Sequence, residues 1–250
     1  MVEKWCRKAV VRLATLPPEH PLYKPVKAIK GRYIKRHRSP LHLLFNNTPF
    51  DPKSIKKIPT KPRDPALTGK LPFNISIASS KEASIREDRL DNKTIKIYSD
   101  GSAHKGKVGA AATLIRPGQP PKSLHLHLGP DTEHTVHEVE IVGTVLALHL
   151  IKSEKNKNQS YSIGIDNQVA IKAYLMPIRK PAHYLAREVL QLGYKLLNRS
   201  RGRSRKIFLL MLRWTAGHMG IPGNELVDKE AKKAAESLSS DKKYLPTLLR

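Results

Sequence analysis

Cysteine is almost missing from this chain: Cys6 is alone among 250 residues. A single thiol excludes an intramolecular disulfide and a cysteine-ligated zinc site, and it fits a reducing compartment. Long apolar runs are missing too. No stretch approaches the roughly 20 residues of a membrane-spanning helix, and Met1-Val2-Glu3-Lys4-Trp5-Cys6 lacks the apolar stretch of a signal peptide. The expectation is an intracellular protein away from membranes, with nucleus and cytoplasm not distinguished. Acids are scarce: 21 Asp and Glu stand against 46 Lys and Arg, for a formal net charge of +25 and a pI near 10.2. That balance points to a polyanionic partner, above all nucleic acid. What remains is 39% hydrophobic, with 19 prolines and a mean hydropathy of -0.45. It can build a core without drawing the whole chain into it, and the length suits one domain plus an appendage or two small domains.

The appendage lies at the front. Residues 3–16 have helical character, and Pro17-Pro18 stops them. Prolines recur over 21–72, and basic residues crowd 27–38 (KAIKGRYIKRHR). That run reads as solvated or disordered chain, or as a phosphate-contacting arm with Tyr33 and His37 as stacking surfaces. Residues 79–92, polar and charged, read as a linker.

Order begins at Lys93. Strands are expected over 94–98, 109–116 and 123–128. The third alternates strictly, so Leu124, Leu126 and Leu128 share one face while His125 and His127 take the other. A helix is expected over 135–152, with Val139, Val142, Leu146 and Leu150 at steps of three and four. There follow a strand at 161–165, helices at 168–175 and from 182 to about 198, a strand at 207–213 and a last helix at 224–238. Three strands, helix, strand, helices, strand, helix predicts an α/β domain: a mixed sheet with helices on its faces.

Four acids stand out against the basic background. Asp100 and Asp166 each follow an apolar strand. If those strands are parallel neighbours, the two carboxylates meet at one edge of the sheet, where open α/β sheets place their ligands. Glu140 lies near the start of the intervening helix, on a turn that Val139 and Val142 aim at the sheet. Glu138 belongs to a different helix face and reads as first-turn charge complementing the helix dipole. Asp228, on the last helix, is by itself as readily an ordinary exposed acid as a ligand. Magnesium prefers hard oxygen ligands, and two such ions can bracket a phosphodiester while the basic remainder holds the polyanion. The combination points to a metal-dependent nuclease. His218, in the loop Gly217-His218-Met219-Gly220, is placed to shuttle protons beside such a site.

These residues also fall in a familiar order. Tyr98-Ser99-Asp100-Gly101-Ser102, Glu140-Ile141-Val142 with Ala147-Leu148, Asp166-Asn167-Gln168, and the block running from Trp214 through Gly217-His218 and Asn224-Glu225 to Asp228 resemble the successive motifs of type 1 ribonuclease H domains. The resemblance covers roughly 93–239. It implies a ribonuclease H-like fold, a five-stranded mixed sheet of three antiparallel and then two parallel strands. It further implies that Asp100, Glu140, Asp166 and Asp228 ligate two Mg2+ ions, with Mn2+ as a substitute. His218 would assist proton transfer or product release. The substrate would be the RNA strand of an RNA·DNA hybrid, cut by in-line attack of water to leave a 5′-phosphate and a 3′-hydroxyl. Gly101, Ser102, Thr135, Gln168 and Asn224 match substrate-contacting positions, Gln168 reading the minor groove near the 2′-hydroxyls. Asn224 and Glu225 also match positions that support the acids.

The match has departures. Many relatives carry an asparagine pair before the helical glutamate, whereas here Thr135 is followed by Val136-His137. The segment 178–184 is too short for the basic handle helix of bacterial relatives, and Lys195, Arg199, Arg201, Arg203, Arg205 and Lys206 offer positive charge instead. The variant looks most like the domains of fungal LINE-type retrotransposons. Leu16-Pro17-Pro18-Glu19-His20-Pro21-Leu22 and Arg38-Ser39-Pro40-Leu41-His42 resemble the connector that follows the polymerase there. That implies a reverse transcriptase as partner within the parent polyprotein, and a monomer otherwise. The expected organisation is a basic, proline-rich connector at 1–92 with short helices, one of them N-terminal, and partly disordered, the catalytic domain at 93–239 and a tail at 240–250. Two other readings stay open: a non-catalytic module that grips hybrids or duplex RNA by charge, and a related nuclease such as a Holliday-junction resolvase or integrase, against which the block around His218 counts.

Overall fold

Val10 and Ala14, one helical turn apart on α1 (Val2–Ala14), meet Val26 of α2 (Tyr23–Ile29) and Phe45 of α3 (Pro40–Asn46). Leu13, Leu16, Ile29 and Leu44 pack around them. Ser39 caps α3 reciprocally: the His42 amide donates to Ser39 Oγ at 3.4 Å, and the Ser39 amide donates to His42 Nδ1 at 3.2 Å. Among the described residues the front of the chain therefore holds three helices around a small core, where the sequence suggested an arm with short helices and no domain. In this computed structural model the described residues are 2–29, 39–47, 71–154, 160–175, 182–201 and 209–250, so most of the basic run and the proline-rich stretch lie outside them. The chain divides into two units, Met1–Lys61 and Pro62–Arg250.

The second unit is built on a sheet of six strands, β1 (Asn74–Ser76), β2 (Ile95–His104), β3 (Lys107–Ile115), β4 (Lys122–Pro130), β5 (Ser160–Ile165) and β6 (Leu209–Trp214). Their order is β1-β6-β5-β2-β3-β4. β2, β3 and β4 form an antiparallel meander, β5 lies parallel to β2, and β6 parallel to β5. The sheet has six strands, not five: Asn74, Ile75 and Ser76 add a parallel edge strand against Met211, Leu212 and Arg213. Three residues are too few to show a period of two, so this strand leaves no sequence signature.

Alternation along the strands sorts the two faces. Ile95, Ile97, Ala110, Ala112 and Leu124 join the main core with α5 (Val136–Ser153) and α7 (His183–Arg201). Tyr98 and Ala111 point the other way, onto Ile221, Val227 and Ala231 of the segment forming α8 (Pro222–Ala235). β4 divides as its pattern suggests. Leu124, Leu126 and Leu128 join the main core, while His125 pairs with Glu230 and His127 Nδ1 lies 3.0 Å from the Ala234 carbonyl oxygen, both on α8.

Residues 79–92 are not a linker. They form α4 (Lys81–Leu90), whose cap Ser80 accepts from the Ala83 amide at 3.1 Å. The buried residues of α4 are polar, Ser84 and Asp88, so apolar periodicity had nothing to display. Asp88 Oδ1 accepts from the Tyr98 hydroxyl at 2.7 Å and pairs with the Arg213 guanidinium. The end of the chain is likewise no free tail. Leu245 is buried in the main core between short 3-10 turns at Lys242–Tyr244 and Thr247–Leu249, and Ser240 exchanges hydrogen bonds of 3.0 Å with the backbone of His125. Among the described residues no helix is long and apolar enough to cross a membrane.

Candidate active site

The parallel ladder between β2 and β5 ends at the pair Ser99↔Ile165. The next residue on each strand is an acid, Asp100 and Asp166, so register alone sets the two side by side. β2 continues to His104, which places Asp100 inside a strand and not at its end, as its sequence context had suggested. What ends at that level is β5.

Glu140 reaches the same point because Gly101 lacks a side chain. A Cβ on Gly101 would lie 2.7 Å from the Glu140 amide nitrogen and 2.9 Å from the Val139 carbonyl carbon, so glycine lets α5 rest directly on β2. Thr135 fixes where that helix begins. Its amide donates to Glu138 Oε2 at 2.8 Å, and the Glu138 amide donates to Thr135 Oγ1 at 3.2 Å, a reciprocal cap. One carboxylate oxygen from each of Asp100, Glu140 and Asp166 lies within 4.8 Å of the others.

A second group meets by the same measure: His218, Glu225 and Asp228. His218 is exposed and holds a left-handed backbone at φ 55°, in a loop that Gly220 closes at φ 71°. The Gly220 amide donates to Glu225 Oε1 at 3.3 Å, tying the loop to α8. Gly217 packs so near Asp166 that a Cβ would meet its Oδ2 at 3.0 Å. Asp228 is mostly buried along its side chain and accepts from Lys232 Nζ at 2.7 Å, one turn on.

Electrostatics join the two groups. Burial, then Asp166 and Asp228, push the Asp100 carboxyl up to about 8. Burial, then Asp100 and Asp166, hold Glu140 well above the ordinary carboxylate range. Asp166 is raised too, mainly by burial and further by Asp228, with His218 acting against the shift. Like charges this close are tolerable only with protons or a cation between them. Glu140 makes the need specific, because its Oε2 is buried and has no hydrogen-bond donor among the described residues. An all-oxygen set of carboxylates with an orphaned buried oxygen fits a hard divalent cation such as magnesium.

The other expected contacts divide. Ser102 and Gln168 are half-buried, Gln168 at the start of α6 (Gln168–Ala173), where its Oε1 lies 3.4 Å from Lys172 Nζ. Asn224 is buried and accepts at Oδ1 from the Thr215 hydroxyl at 3.3 Å, so it braces the loop to α8 from inside. Lys195 is exposed on α7, whereas Arg203, Arg205 and Lys206 lie outside the described residues. Asn167 is a member that sequence reasoning overlooked. Its Oδ1 caps α6 through the Val169 and Ala170 amides, while its Nδ2 lies 3.5 Å from Glu140 Oε1. Its place between a strand-end acid and a helix start was the available signal. Trp214 Nε1 donates to the Asp166 carbonyl at 2.9 Å, which explains a tryptophan at the end of β6.

A family model described as RNase H matches residues 92–236. Among solved structures, the chain is similar to RNase H1 from the halophilic archaeon Halobacterium salinarum NRC-1, at 14% identity and a TM-score of 0.42, covering 58% of this chain and 98% of that one. It is similar to LC11-RNase H1 in complex with an RNA/DNA hybrid, at 13% identity and a TM-score of 0.40, covering 57% and 96%. A prototype foamy virus protease-reverse transcriptase matches at 15% identity and a TM-score of 0.44, over 60% of this chain and 22% of that one. No curated protein matches the chain.

Proposed function

The chain belongs to the RNase H family, and on that premise we propose that it is a metal-dependent endonuclease hydrolysing the RNA strand of RNA·DNA hybrids. The observation that carries this reading is the convergence of Asp100, Glu140 and Asp166, electrostatically coupled to Asp228, around a buried Glu140 oxygen that no described residue satisfies. Two magnesium ions held by these four residues would supply an activated water and charge neutralisation at the phosphodiester.

The chain's own residues do the rest. Gly101 and the Thr135 cap hold Glu140 against Asp100, and Asn167 limits the directions its carboxylate can take. His218, exposed beside Glu225 and Asp228, stands where it can carry a proton to the departing 3′-oxygen or leave with product. Gln168 is the contact for 2′-hydroxyls, which separate RNA from DNA, and Ser102 is a further contact to the substrate. The surplus of lysine and arginine engages the phosphates. The segments 16–22 and 38–42 support descent from a fungal LINE-type retrotransposon, with a reverse transcriptase as the natural neighbour.

A substrate panel of one sequence tests the reading: RNA·DNA, RNA·RNA, DNA·DNA and a four-way DNA junction, each with magnesium. Cutting of the hybrid's RNA strand alone, to ends carrying 5′-phosphate and 3′-hydroxyl, is the expected result. Preferential cutting of the junction or of DNA would replace it with a resolvase-like activity, and tight binding without cutting would leave only a binding module.

A further inference from the structure

The active-site end of the sheet leans on an element that precedes the family-matched segment 92–236. α4 carries Ser84, whose side chain is fully buried. Ser84 Oγ donates to the Trp214 carbonyl oxygen at 3.0 Å and accepts from the Ala216 amide at 2.9 Å. A single hydroxyl therefore satisfies the last carbonyl of β6 and an amide just beyond it.

Those two backbone groups flank the junction from which the site hangs. Trp214 Nε1 holds the Asp166 carbonyl at 2.9 Å, and the Thr215 amide donates to the Ile165 carbonyl at 2.9 Å. The Thr215 hydroxyl reaches Asn224 of α8, the helix that carries Asp228. Gly217 then rests on the Asp166 carboxylate, and His218 follows. α4 is itself anchored one turn further on, where Asp88 binds the Tyr98 hydroxyl and Arg213, and Ser76 Oγ donates to Glu87 at 3.0 Å. A helix fixed at Asp88 presents the Ser84 hydroxyl to the junction at a set height.

We propose that Ser84 is a positioning residue of the active site: by bridging Trp214 and Ala216 it sets the loop that lays Gly217 on Asp166 and brings His218 to the acids. This rests on the nuclease reading above, yet part of its test does not. Ser84→Ala removes both hydrogen bonds, Ser84→Cys keeps the volume with weak hydrogen bonding, and Arg86→Gly weakens the same helix from its exposed face. Steady-state hybrid cleavage, thermal melting, and NMR of the Ala216 amide and the His218 ring are read on the full chain.

Ser84→Ala and Ser84→Cys should lower kcat about 10-fold or more, in the range of lost outer partners at metal sites, with KM within about twofold. Both should speed hydrogen exchange at the Ala216 amide and shift the His218 ring resonances. Arg86→Gly should lower the melting temperature and leave kcat and those resonances unchanged. Should Ser84→Ala fail to fold, the cysteine variant decides alone. Wild-type kcat in the folded serine variants, or a loss that Arg86→Gly reproduces at equal loss of stability, would overturn the proposal. If the wild-type chain cuts no hybrid, the nuclease reading fails by itself. Ala216 exchange and His218 resonances then decide Ser84's role, and if both are unchanged in the serine variants the proposal is overturned.

Discussion

Asp100 and Asp166 are neighbours because the ladder joining their strands stops one residue earlier on each, at Ser99 and Ile165. Two carboxylates brought together by backbone register cannot easily relax apart, since each strand is held by its whole set of hydrogen bonds. The repulsion is built into the fold, and it has measurable consequences in the absence of metal.

The first is a pH dependence with a definite sign. Asp100 is pushed up from 3.8 to about 8, so the folded state holds this proton more tightly than the unfolded chain does. The group costs no stability below about pH 3.8, imposes a penalty that grows as pH rises, and imposes it in full above about pH 8. Without divalent cations, Asp100→Asn should therefore melt at a higher temperature than wild type. The gap should widen between pH 4 and pH 8, to a difference on the order of a few kcal/mol. Saturating magnesium should narrow the gap at pH 8. Melts that show no gap, or a gap that shrinks with pH, would contradict the burial and crowding of these acids.

Gly101 should tolerate no side chain. Its Cβ would stand 2.7 Å from backbone of α5, so Gly101→Ala forces helix and strand apart. A loss of about 1–3 kcal/mol is expected from such overpacking, measured by denaturant unfolding. Cleavage should fall further than the stability loss accounts for, because Glu140 rides on the displaced turn.

Arg213 is nearly inaccessible and pairs with Asp88, with Asp91 Oδ2 at 3.4 Å from its Nε. Breaking a buried pair from one side leaves the other charge stranded. Asp88→Ala should cost roughly 3–5 kcal/mol. Replacing Arg213 and Asp88 together with apolar residues should cost much less than the sum of the single changes. Additive losses in that double-mutant cycle would show that the network does not act as a unit.

The domain's start can be tested by truncation. A chain beginning at Lys93 keeps every acid of the site but loses β1 and α4, and with them the partner of β6, the Ser84 bridge and the Asp88 pair. We expect it to aggregate through the uncovered edge of β6 and to lose activity, whereas a chain beginning at Pro62 should fold as the longer one does. Gel filtration and thermal melting distinguish the two.

The site was legible because its residues sit where local sequence patterns change. Asp100 and Asp166 follow apolar strands, Glu140 lies on a helix with a clear apolar stripe, and His218 sits among glycines. Their meeting depends on β2 and β5 being parallel neighbours, which the sequence carried only as a condition. What escaped was held together by polar burial. α4 docks through Ser84 and Asp88, and β1 is three residues long, so neither carries the apolar periodicity from which elements are read. Asp228 alone looked like an ordinary helix acid. Packing of α8 against Tyr98 and Ala111, with Asn224 braced on Thr215, carries it to the group.

The most direct measurement follows the fate of a labelled RNA strand in an RNA·DNA duplex, with magnesium, with chelator, and with Asp100→Asn in magnesium. We predict internal cuts in the RNA with wild type and magnesium only, and intact RNA in the other two conditions despite undiminished hybrid binding by the variant. Cutting that persists in chelator or in Asp100→Asn, or wild-type binding without any cutting, would contradict the assignment of these carboxylates as one metal-dependent nuclease site.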